Sequence, residues 1–168
     1  GRSGTLVEMA RFVAGRRQAG KITNMTSMDS EKLQPDERSA YRVFRSIGTR
    51  WSDNDAYGHV NNVVYYAWFD TAVNSYLIEK GALDPMRSDC IGLVIETHCH
   101  YFAPLSFPET VKIGVRVASI GRSSVRYEIG VFSQNSEVCV AQGYFIHVYV
   151  DALERRPIEL PSHLRKTL

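Results

Sequence analysis

Residues 50–62 read Arg50-Trp51-Ser52-Asp53-Asn54-Asp55-Ala56-Tyr57-Gly58-His59-Val60-Asn61-Asn62. This stretch places two carboxylates and an imidazole just ahead of Val63–Lys80, a run with neither Pro nor Gly. A helix starting there would turn its first unpaired amides, and its positive end, toward those acids. Such a place suits acyl transfer. Fixed amides would take the negative charge developing on a carbonyl oxygen, and a loop carboxylate would attack the carbon or activate a water. One such donor is worth roughly 3–4 kcal/mol of barrier.

Asp55 is the principal candidate for the attacking or activating carboxylate, and the main-chain amide of Asn62 for the electrophilic donor. His59 is a further catalytic candidate, or bonds the loop. Asp53, two residues before Asp55, would point the same way in an extended segment and share its site, or serve as a loop hydrogen bond. Tyr57, Gly58, Asn61 and Tyr65 are candidate substrate contacts. The Asn61 and Asn62 side chains also fit as helix caps. Asp70 lies eight residues past Asn62, about 12 Å along a helix, too far to share a carbonyl with those amides. It reads as a structural or interface acid. His98 and His100 would share one strand face with no evident third metal ligand, and His147 reads as a structural strand residue. No metal site is expected.

The elements that must hold these residues follow from periodicity. In the run 63–80, Tyr65, Phe69, Ala72 and Tyr76 fall on one helical face, broadened by Val64, Trp68 and Leu77. So wide an apolar surface predicts a helix mostly surrounded by protein. Asn61 or Asn62 can cap its start, and Gly81 follows its end. Residues 41–51 predict an opening strand. Four β-like runs follow, roughly 91–102, 110–121, 124–133 and 138–150, separated by Pro104 and Pro108, by Gly121-Arg122 and by residues 134–137. The tail, with Pro157 and Pro161, reads as irregular or a short helix. The order is strand, long helix, four strands: an α+β chain in which a curved antiparallel sheet wraps the helix.

The segment Asp53–Tyr65, D-x-D-A-x-G-H-V-N-N-x-x-Y, resembles the 4-hydroxybenzoyl-CoA thioesterase-like branch of the hotdog-fold superfamily. So do WFDTAVNSYL, FAPLSFPETV, GRSSVRYEIGVF and the later Val148-Tyr149-Val150-Asp151. The resemblance covers about residues 41–162. It implies a hotdog fold and an acyl-CoA thioesterase with Asp55 as nucleophile or general base and the Asn62 amide polarising the carbonyl. It implies a homodimer or homotetramer with the active site at the dimer interface, and contacts to CoA from Arg122, Ser123 and Ser124. No cofactor is implied, since CoA belongs to the substrate. Plant acyl-carrier-protein thioesterases share H-V-N-N but carry Asn where this chain has Tyr57, so an Asn–His pair of that type is not available here. Two other readings compete. One is a hotdog protein that binds acyl-CoA without turnover. The other is a hydratase or dehydratase, whose D-x-N-P-x-H string, or His on a Phe-Pro segment, is missing.

Composition narrows the partners. The 168 residues fit one core of ordinary size. A formal net charge of +2 is too small to argue for nucleic acid. Three cysteines without CxxC support neither a zinc ribbon nor a disulfide framework, and fit a reducing cytoplasm. No apolar run is long enough for a membrane helix, and residues 1–24 lack a secretory h-region. Leu6, Met9, Phe12 and Val13 at helical spacing, with five basic residues against Glu8, suggest an amphipathic peripheral segment. Residues 1–40 are therefore expected to be an extension and linker, and 41–168 the catalytic domain.

Overall fold

The computed structural model describes residues 33–168. The amphipathic segment and the first part of the expected linker lie outside the described residues. Five strands, β1 (Val43–Gly48), β2 (Cys90–Tyr101), β3 (Thr110–Ile120), β4 (Ser124–Phe132) and β5 (Ala141–Asp151), form one sheet, with α1 (Asn62–Glu79) between β1 and β2 and a short α2 (Ser162–Thr167) at the end. The strand order is β1-β3-β4-β5-β2, every pair antiparallel. This is the α+β arrangement expected from the element order, and the hotdog fold that the resemblance implies. Among the described residues no helix is long and apolar enough to cross a membrane.

Alternation decides which face of the sheet meets the helix. Val111, Ile113 and Val115 on β3, Val125, Tyr127, Ile129 and Val131 on β4, and Ala141, Phe145 and Tyr149 on β5 are buried. Period-two spacing turns each of these sets to one face. Against them α1 buries Tyr65, Trp68, Phe69, Ala72, Val73, Tyr76 and Leu77. Every large side chain removed from water in this way contributes roughly 1.5–3 kcal/mol. Register shifts between Val94 and Glu96 and between Val117 and Ser119 interrupt the ladders. Such bulges bend and twist a strand, which helps the sheet curve around the helix.

A smaller apolar cluster occupies the opposite face. Tyr41, Phe132 and Cys139 are buried there, with Ala40 and Phe44 against them. Tyr41 lies over two strands that carry no side chain beneath it. A Cβ on Gly114 would come within 2.8 Å of the Tyr41 ring, and one on Gly130 within 2.8 Å of the same ring. Polar groups fix the segment leading into Tyr41. Cys139 donates its amide to the Asp36 carbonyl, Arg38 reaches the carbonyls of Ser133, Gln134 and Ser136, and Arg116 bridges Asp36 and Glu128. Residues 36–40, read from sequence as the end of a polar linker, are thus a strap across the outer face. The strap also explains the late start of β5. Val138 pairs with Glu37 and Cys139 with Asp36, so the β4–β5 ladder begins only at Ala141.

Candidate active site

The loop between β1 and α1 is anchored at both ends. β1 stops at Gly48 because Thr49 turns to Glu109, exchanging two hydrogen bonds with its backbone and a third through its amide. A short 3-10 turn follows, Trp51–Asp53. Beyond it Asn54 and Val60 bridge in antiparallel fashion, and Asp55 and His59 pair through the Asp55 amide, which closes residues 54–60 into a small hairpin. Gly58 sits in its turn with φ +81°, a conformation that favours glycine. Three bonds tie the hairpin to residues 105–107: the Val60 amide to Leu105 O, the Phe107 amide to Asn54 Oδ1, and Ser106 Oγ to Gly58 O.

At the helix start the Asn61 side chain accepts from the Val63 amide at 3.1 Å, and the Asn61 carbonyl accepts from Val64 at 3.0 Å. Asn61 is therefore the cap. The amide of Asn62, first residue of the helix, has no acceptor among the described residues, and an intrahelical one is impossible at that position. Asp55 is half-buried. Its Oδ1 accepts from the amides of Tyr57 and His59, at 2.8 and 3.4 Å. Asp55, Asn62 and Tyr65 line one cavity of about 390 Å³, together with Val60, Tyr101, Phe102, Ala103 and Pro104.

The other sequence candidates divide. Tyr57, Gly58 and His59 contribute backbone to the hairpin. Tyr57 and His59 are exposed, and among the described residues the His59 side chain has no hydrogen-bond partner. Asp53 does not join Asp55 at the cavity. It is 1 % exposed, and its two oxygens are taken by the Arg50 amide and the Arg50 guanidinium. The expected common direction fails because the 3-10 turn ends at Asp53, so the two acids do not stand on one extended segment. Asp53 also holds the helix start, since its carbonyl accepts from the Asn61 amide at 2.8 Å. Arg122, Ser123 and Ser124 lie at the β3–β4 turn, the far end of β3 from the Thr49–Glu109 junction, separated by about 35 Å of strand. Within the chain they do not meet Asp55.

Asp70 is exposed on the third turn of α1, its carboxylate bonded to Asn74. His98 and His100 stand side by side on an exposed stretch of β2, ring centroids 4.2 Å apart. Among the described residues no group of three or more His, Cys, Asp or Glu could hold a metal ion. Tyr101 was missed by sequence reasoning. Its hydroxyl donates to the Asn62 carbonyl at 3.2 Å, and its ring meets Tyr65 edge-on at 5.0 Å. Nothing local in a strand tyrosine forecasts this; it follows from the β2–β5 pairing that brings the end of β2 beside the helix start.

A model of the thioesterase-like superfamily matches residues 49–168. The chain belongs to that superfamily. Among solved structures, the PA5185 protein of Pseudomonas aeruginosa is 50% identical, with a TM-score of 0.78 over 80% of this chain and 94% of that one. The 1,4-dihydroxy-2-naphthoyl-CoA thioesterase Slr0204 of Synechocystis is 16% identical, with a TM-score of 0.67 over 74% of this chain and 93% of that one. BH1999, a gentisyl-coenzyme A thioesterase, is 24% identical, also with a TM-score of 0.67, over 74% and 98%. The last two share the thioesterase-like fold with this chain at a level of identity that speaks for fold alone.

Proposed function

We propose that the protein hydrolyses acyl-CoA thioesters to a carboxylate and free CoA. One observation carries the reading beyond family membership: the Asp55 carboxylate and the unpaired Asn62 amide line the same cavity at the positive end of α1. The thioester oxygen accepts from the Asn62 N–H, where charge developing on it is stabilised. Asp55, steadied by the Tyr57 and His59 amides, takes a proton from water as the water oxygen bonds to the carbonyl carbon. The C–S bond then breaks, and the CoA thiolate leaves and is protonated. In the nucleophilic variant Asp55 bonds the carbon directly and water cleaves the resulting anhydride.

A second protomer completes the site. Two observations support this. Arg122, Ser123 and Ser124, the residues proposed to meet CoA, lie far from Asp55 on their own chain. And β2 is a 12-residue edge strand with exposed Leu93, Val94, Ile95 and Tyr101, an edge that calls for cover.

Thiol release from a panel of acyl-CoAs tests the activity, with hydroxyaryl thioesters included because two neighbours in fold act on such compounds. The wild type turns over at least one member, and Asp55→Asn loses about 10²–10⁴-fold in kcat. Full activity in Asp55→Asn would sink the assignment, and binding without turnover would favour a non-catalytic acyl-CoA-binding protein. Incorporation of ¹⁸O into Asp55 in a single turnover separates nucleophile from base.

A further inference from the structure

The amide assigned to the thioester oxygen belongs to the first residue of α1, the part of a helix with the fewest internal bonds to hold it. Such an end frays, and a donor on a frayed turn has no fixed direction. Here the peptide that carries the Asn62 N–H is clamped from both sides. On the loop side the Asn61 amide donates to the Asp53 carbonyl at 2.8 Å. On the helix side the Asn62 carbonyl accepts from the Tyr101 hydroxyl at 3.2 Å. The second clamp comes from the sheet, 39 residues away in sequence.

Tyr101 is firmly mounted. It ends β2 opposite Ala141, and the next two amides, of Phe102 and Ala103, both donate to the Val140 carbonyl, at 2.8 and 3.1 Å. Its ring meets Tyr65 edge-on at 5.0 Å, and Tyr65, 2 % exposed, packs in turn on Trp68. One side chain thus grips the start of α1 twice, by its hydroxyl at Asn62 and by its ring at Tyr65. A carbonyl can only accept, so the single phenolic proton is directed at Asn62. Desolvation and then Cys99 raise the Tyr101 pKa above the ordinary tyrosine value, which keeps that proton in place. With its proton committed, the hydroxyl has none to offer a thioester oxygen in the cavity that Tyr101 also lines. Its influence on the reaction runs through the helix start.

We propose that Tyr101 is a positioning residue: by holding the Asn62 carbonyl it aims the Asn62 N–H into the cavity. The proposal rests on the thioesterase reading. To that reading it adds a residue that sets the direction of the donor without touching the reacting atoms.

The test uses Tyr101→Phe, which keeps the ring contact with Tyr65 and loses the hydroxyl. On an acyl-CoA that the wild type hydrolyses, kcat falls about tenfold, less than the roughly 10²–10³-fold of outright loss of such a donor. KM is unchanged, because the aim of the donor matters most where charge develops. The second readout is the infrared C=O stretch of an acyl-CoA labelled with ¹³C at the thioester carbon and bound to Asp55→Asn. Adding Tyr101→Phe to that variant moves the band to higher wavenumber, as the hydrogen bond to the carbonyl weakens. A merely structural role lowers Tm and leaves both kcat of the folded protein and the band where they were; that result would overturn the proposal. So would a raised KM at wild-type kcat, the mark of a group that binds ground-state substrate directly. The thioesterase reading survives either outcome, whereas a wild type that turns over no member of the acyl-CoA panel removes both.

Discussion

Arg50 and Asp53 close on each other through three contacts: the Arg50 amide to Asp53 Oδ2 at 2.7 Å, and the Arg50 Nε and a terminal guanidinium nitrogen to Oδ1 at 3.0 and 2.9 Å. The pair leaves Asp53 as a structural anchor for the loop that carries Asp55. Its carboxylate is buried while the Arg50 side chain is largely exposed, so the two partners are not equivalent. Asp53→Ala strands a backbone amide and is expected to cost about 1–3 kcal/mol. Arg50→Ala loses only the exposed half of an ion pair, about 1 kcal/mol or less. Urea unfolding of the two variants decides the matter, and equal losses would contradict this division.

The helix start offers a second measurement. Asn61→Ala removes the acceptor of the Val63 amide and is expected to lower stability by about 1 kcal/mol. Activity falls with it, since the Asn62 amide sits on the same frayed turn. Asn61→Asp keeps an acceptor and restores both. A rescue of stability without activity would separate the cap from the amide proposed to polarise the carbonyl.

The strap over the outer face depends on two missing side chains. In Gly130→Ala the new methyl would stand 2.7 Å from Cys139 Sγ and 2.8 Å from the Tyr41 ring. Such overpacking is expected to cost about 1–3 kcal/mol. Gly48→Ala is the control, since nothing lies within 4 Å of its Cβ, and its effect stays within about 0.5 kcal/mol. Comparable losses in both would remove the packing explanation.

His147 gives a pH dependence with a definite sign. It is 2 % exposed among Tyr127, Phe145 and Tyr149, and both ring nitrogens lack a hydrogen-bond partner among the described residues. Burial lowers its pKa to about 4, against a smaller opposing pull from Asp70. The folded protein therefore binds this proton less readily than the unfolded chain. Above pH 6.5 the residue is neutral in both states and costs nothing through protonation. As pH falls from 6.5 toward 4, the unfolded state gains a proton first, and stability declines by up to about 3 kcal/mol. His147→Phe flattens that limb of the stability–pH curve. An identical limb in the variant would clear His147 of the effect.

Much of this molecule was legible in its residues, and the limits of that reading have physical causes. The wide apolar face from Tyr65 to Leu77 and the turns between later strands led to the helix and sheet, because both signals are periodic and local. Asp55 beside a helix start was legible for the same reason. The two readings of Asp53, shared site or loop hydrogen bond, could not be separated by sequence, because two acids at i and i+2 look alike until a 3-10 turn sends one inward to Arg50. Tyr101 and the strap at 36–40 escaped because their partners, Asn62 and residues 133–142, are remote in sequence. The separation of Arg122 from Asp55 needs the length of β3, which no motif encodes.

The hairpin at 54–60 is fastened to residues 105–107 by three hydrogen bonds and to the helix cap through Asp53. A carboxylate mounted this way has little freedom to surrender when a ligand arrives. On the proposed reading, little ordering entropy would be charged against binding at Asp55, and more of the interaction with a thioester would remain for the transition state. Hydrogen exchange in this loop would be slow in the empty protein and change little on saturation, the pattern of a jig rather than a gate.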